Sequence, residues 1–89
     1  MTAHMSVKTK INLAEKKILA TISKDASPEE KLWASVLSQA IKDLSKNKKT
    51  REFDTARRYL LRQEIPAAER IGIDSSYVRR VFNALDIQL

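Results

Sequence analysis

The sequence has no cysteine, a single glycine (Gly72) and two prolines, Pro28 and Pro66. Without cysteine, no disulfide staples the fold and no thiolate holds a metal, which suits a reducing compartment. One glycine excludes a glycine-rich phosphate loop. So little glycine and proline leaves few places for the chain to turn. No apolar run approaches the ~18 residues of a membrane span. The polar start MTAHMSVKTK lacks the apolar core of a signal peptide. The expectation is a soluble protein of the cytoplasm. The one histidine, His4, lies beside Met5 in a stretch that reads as a cloning remnant. No base is placed to activate the serines and threonines, and no zinc or calcium ligand cluster stands out. The sequence therefore predicts no catalysis, no metal and no cofactor.

What is present is helix-forming residues and positive charge. Eighty-nine residues make one domain. Leu, Ala, Ile, Lys, Glu and Arg dominate, and period-2 alternation is absent over any useful length. These features predict an all-α fold, a compact bundle of four to five helices. The formal net charge is +6. A basic surface attracts polyanions, nucleic acid first; a solvated basic surface that aids solubility is the plain alternative.

In chain order, residues 1–11 read as a flexible arm and 12–89 as a single helical domain. Asn12 offers a helix cap with Glu15 three residues on, and Leu13, Ile18, Leu19 and Ile22 form a stripe, predicting a helix over 13–23. Ser27-Pro28-Glu29-Glu30 is a strong start signal. Leu32, Trp33, Val36, Leu37, Ala40, Ile41 and Leu44 follow as a broad apolar face, predicting a central helix over 28–46. Trp33 suits core packing, with a partner hot spot as the other reading. A third helix is expected over 51–63, with Phe53, Ala56, Tyr59, Leu60 and Leu61 inward. From Lys46 to Arg62 the basic residues are Lys46, Lys48, Lys49, Arg51, Arg57, Arg58 and Arg62, against the acids Glu52 and Asp54. Within it, the loop run Lys46, Lys48, Lys49 and Arg51 either touches phosphate or is solvated.

The last stretch, 64–85, reads EIPAAERIGIDSSYVRRVFNAL. Ala67, Ala68 and Ile71 precede Gly72, and Ile73, Val78, Val81 and Leu85 follow it. This is the arithmetic of helix, tight turn, helix. Counted from Glu64, the fifth position is a small residue (Ala68) and the ninth is the glycine. The fourth, eighth, tenth, fifteenth and eighteenth are Ala67, Ile71, Ile73, Val78 and Val81. Asp74 or Ser75 can cap the second helix. The stretch resembles the helix-turn-helix family of DNA-binding proteins. Pro66 at the third position departs from that pattern and shortens the first helix, and Ile65 is apolar at a second position that is often polar.

A broader resemblance covers residues 33–80. Trp33, Val36, Leu37, Gln39, Ala40, Ile41, Asp43 and Leu44, then Ala56, Arg57, Arg58 and Leu60, then Gly72, Ile73, Asp74, Tyr77, Val78, Arg79 and Arg80 are similar to the pattern of small, mostly uncharacterised bacteriophage proteins. Arg70-Ile71 before the glycine and Ser75 depart from it. This resemblance implies a phage origin, hence a bacterial host cytoplasm, and no biochemistry.

The helix-turn-helix resemblance implies that the last helix faces the major groove. Ser75, Ser76, Arg79, Arg80 and Asn83 are then the expected base-contacting residues, since arginine can take guanine and asparagine adenine in bidentate pairs. Lys48, Lys49, Arg51, Arg57, Arg58, Arg70 and Tyr77 are the expected phosphate contacts. The expected partner is double-stranded DNA, bound by a homodimer on a two-fold site as a transcriptional regulator. The competing readings are a mere αα-corner with solvated arginines, and a module that docks on and inhibits a host enzyme or defence complex.

Overall fold

The computed structural model describes residues 6–22, 24–87 and 89; among them the chain forms five α-helices and no strand. They are α1 (Val7–Leu19), α2 (Pro28–Asp43), α3 (Arg51–Leu60), α4 (Pro66–Arg70) and α5 (Ser75–Ala84). The all-helical bundle expected from composition is the fold. The expected His4-Met5 remnant lies outside the described residues.

The first helix begins at Val7 rather than at 13, so most of the expected 1–11 arm that is described is helical. Its cap is Ser6, whose Oγ accepts the Thr9 N–H at 3.2 Å. Asn12 lies exposed within the helix and caps nothing. The physical reason is the stripe, which starts at Ile11, two residues before Leu13. Ile11, Ala14 and Ile18, at i, i+3 and i+7, point inward and are almost fully buried. The helix ends at Leu19, where the Thr21 hydroxyl donates to the Ile18 carbonyl at 2.7 Å and helps draw the chain out of helical pairing.

The second helix starts as its sequence dictates. The Glu30 N–H donates to Ser27 Oγ at 3.1 Å, and the Ser27 N–H donates to Glu30 Oε1 at 3.2 Å, a complete capping box. Glu29 and Glu30 also complement the positive helix end. Its apolar face is narrower than expected. Leu37, Ile41 and Leu44 are buried, and Trp33 and Ala40 pack half-buried against the core. Leu32 and Val36 remain 64% and 39% exposed. This helix is central to the bundle, packing against α1, α3 and α4, while α5 closes over α1.

The third helix is capped by Thr50, whose Oγ1 accepts the Phe53 N–H at 3.2 Å. It ends at Leu60 rather than at 63, and Leu61 turns outward. The largest fully buried side chain is Phe82 on α5, which the Ile73–Val78–Val81–Leu85 stripe left out. Burying such a ring stabilises the fold by about 1.5–3 kcal/mol.

A helix-turn-helix with a hydrogen-bonded turn

The turn after α4 is set by Gly72, whose φ of 78° lies in the left-handed region. The Gly72 N–H donates to the Glu69 carbonyl at 3.2 Å, and the Ile73 N–H to the Ala68 carbonyl at 2.8 Å. Those two bonds make a Schellman ending. Ala67, Ala68, Ile73, Val78 and Val81 are buried around it, and Ile71 is half-buried. Asp74 caps α5 through Oδ1, which accepts the Ser76 N–H at 2.9 Å. Hydrogen bonds from the Ser76 backbone and side chain hold its carboxyl below the usual carboxylate range, and the nearby Arg80 and Arg79 charges add to this.

Ser75 does not face solvent. It is 2% exposed. Its Oγ accepts the Ile65 N–H at 2.8 Å and donates to Glu69 Oε1 at 2.7 Å. The hydroxyl thus ties the segment entering α4, α4 itself and the first turn of α5 together, and it is not available to a base edge. Its sequence signal is ambiguous, because a serine at a helix start reads equally as solvent-facing or as a buried link.

Arg79 is also engaged. Its Nη1 donates to the carbonyls of Arg62 and Gln63 at 3.0 and 3.1 Å. It fastens α5 to the stretch after α3, so as a base reader its guanidinium would first have to leave two acceptors. The outward face of α5 is left to Ser76, Tyr77, Arg80 and Asn83. Arg80 and Asn83 are exposed, and Ser76 and Tyr77 half-buried. The Arg80 guanidinium carbon lies 5.9 Å from the Tyr77 ring centroid, a cation–π approach that steadies the long side chain.

The expected phosphate contacts divide similarly. Lys48, Lys49 and Arg51 are exposed on the loop before α3 and on its first turn. Arg58 is exposed and pairs with Asp54 at 3.1 Å, a surface pair of little strength. Arg57 is not free, because its Nε donates to the Leu89 carbonyl oxygen at 2.9 Å and holds the end of the chain against α3. Arg70 stands over the Trp33 ring at 5.5 Å. Arg62, which is not among the expected contacts, lies 5.9 Å from the Tyr59 ring centroid beside the carbonyls that Arg79 holds. Its signal was the Tyr59–Arg62 spacing at a helix end.

No helix among the described residues is long and apolar enough to cross a membrane. Compared with protein-family models, curated proteins and solved structures, the chain matches none.

Proposed function

We propose that the protein is a small DNA-binding regulator of phage type, acting in a bacterial cytoplasm, whose α5 enters the major groove. The observation that supports this reading most is the outward face of α5. Ser76, Arg80 and Asn83 project there from a helix fixed by the Gly72 turn, and Arg62, Arg58 and Arg51 supply cations on and just after α3. Arg80 suits guanine O6 and N7, and Asn83 suits adenine N6 and N7. Arg79 and Ser75 hold the helix in place rather than read bases. One such module makes few contacts, so a dimer on a two-fold site accompanies the proposal.

The test is fluorescence anisotropy with labelled duplex DNA over a salt series, followed by site selection. Each neutralised phosphate contributes about −0.9 to the log–log salt slope. Arg80→Ala with Asn83→Ala should remove about 1–3 kcal/mol of discrimination per lost base contact while leaving the salt slope nearly intact. If the double variant selects the same site with the parent's affinity, α5 is not the reader.

A second reading rests on a separate feature. An open, apolar groove of about 430 Å³ runs between α2 and α3, lined by Leu32, Val36, Ala40, Ala56 and Tyr59 among others. A host enzyme or defence complex could dock there. Retention of a stoichiometric protein partner after nuclease treatment, lost in Leu32→Ser with Val36→Ser, would favour this reading.

A further inference from the structure

A second cleft lies away from the outward face of α5. It is about 440 Å³ and is formed where the start of α1, the loop after α2, the first turn of α3 and the tail beyond α5 converge. Its apolar lining includes Val7, Ile11, Leu44, Phe53, Ile87 and Leu89. Three lysines also line it: Lys10, Lys46 and Lys48. One acid, Asp86, lies among them.

The lysines are only loosely committed. Lys10 lies 3.9 Å from Asp86, whose carboxylate side chain is 84% exposed. Lys46 lies 3.4 Å from Asp43 on its own helix end, and Lys48 enters no ion pair among the described residues. Val7, at the mouth, is 60% exposed, and Phe53 and Leu89 are half-buried. An apolar cleft with a cationic lining fits an occupant that is acidic and carries bulky apolar side chains. We infer that this cleft is a docking site for a short acidic, apolar-anchored peptide segment of a partner protein. A nucleic-acid backbone fits less well, because its phosphates would meet the lysines but leave the apolar lining unfilled. The site is independent of whether α5 binds DNA.

The test uses the full chain and a short labelled peptide alternating Glu with Leu and Phe. Two control peptides carry Ser in place of the apolar residues, or Lys in place of the acids. The first peptide is expected to bind saturably and both controls at least ~10-fold more weakly. Lys10→Glu with Lys46→Glu and Lys48→Glu should weaken binding by at least ~10-fold, while Lys16→Glu with Lys17→Glu and Lys24→Glu should leave it nearly unchanged. Asp86→Asn removes the competing carboxylate and should strengthen binding by about twofold or more. In the parent, peptide titration should move the amide resonances of Ile11, Leu44, Phe53 and Ile87; shifts centred elsewhere overturn the assignment. Equal binding of the serine peptide would show charge attraction alone and overturn it. So would duplex DNA binding that falls with the cleft variant while peptide binding holds. Self-association of the parent that the cleft variant dissolves would assign the cleft to a second copy instead, and would also overturn it.

Discussion

Replacing Ser75 by alanine separates a structural serine from a DNA-reading one. In the parent, Ser75 Oγ accepts the Ile65 N–H at 2.8 Å and donates to Glu69 Oε1 at 2.7 Å, in a site 2% exposed. Alanine removes both bonds. Glu69 is exposed and regains water at little cost. Ile65 is fully buried, so its amide is left without a partner. An orphaned buried donor costs about 1–3 kcal/mol. Against a total of roughly 4–13 kcal/mol for a chain of this length, that is a large fraction. With about 4–8 °C per kcal/mol, the midpoint should fall by about 8–16 °C for a loss of 2 kcal/mol. The assay is helical circular dichroism followed through heating, with urea midpoints alongside. Ser76→Ala is the control, since it keeps the cap bond from the Ser76 backbone N–H and loses only the side-chain bond to the exposed Asp74 carboxylate, so it should shift the midpoint by less than about half as much as Ser75→Ala. A double-mutant cycle with Glu69→Ala should give a coupling of about 0.5–1.5 kcal/mol. If Ser75→Ala melts with the parent, the buried relay has been misassigned.

Four further outcomes follow from the two ends of α5 and the turn before it. Gly72→Ala should cost about 1–2 kcal/mol from left-handed backbone strain alone, because a Cβ there meets no atom within 4 Å; urea denaturation reads it. Asp86 ends α5 with the same pattern of bonds at a φ of 57°, so Asp86→Gly should stabilise by about 0.5–1 kcal/mol in the same assay. Arg79→Ala should lower stability by about 0.5–1.5 kcal/mol, whereas Arg80→Ala should leave melting unchanged, so the adjacent arginines separate by calorimetry. Asp74 has a folded-state pKa below its ordinary value of 3.8, so its cap contribution is fully present above that value and is lost as pH falls through the folded-state pKa. Asp74→Asn keeps an acceptor at the cap and should flatten that acid limb, as read by melting against pH.

Local signals were legible and tertiary ones were not. Ser27-Pro28-Glu29-Glu30 specifies its cap within four adjacent residues, and α2 starts where they say. Gly72 specifies its turn because few other residues accept that backbone conformation. Asn12 and Glu15 imitate a capping box that the chain does not use, while the true cap, Ser6, is followed by no acid in the first turn. Serine and arginine are common on surfaces, so residue type alone places Ser75 and Arg79 on the exposed face. Their true partners, Ile65, Arg62 and Gln63, come from a segment ten to seventeen residues earlier in the chain. No periodicity encodes which loop will pass over a helix. Arg57 is the extreme case, with its acceptor 32 residues away at Leu89.

The fourth helix has one more consequence, for folding kinetics. It is five residues long and has no side-chain cap of its own. Pro66 supplies no N–H, the Ala67 N–H is taken by the Tyr59 hydroxyl of α3 at 2.9 Å, and the N–H of its cap residue Ile65 is taken by Ser75 of α5. So short a helix cannot nucleate alone in water. Its bonds arrive with its neighbours, so α4 forms only as the bundle closes around it. The Ile65 and Ala67 amides are thus built-in reporters of assembly. Their hydrogen exchange should slow to the rate of whole-domain opening, while the exposed ends of α1 and α3 exchange through local fraying.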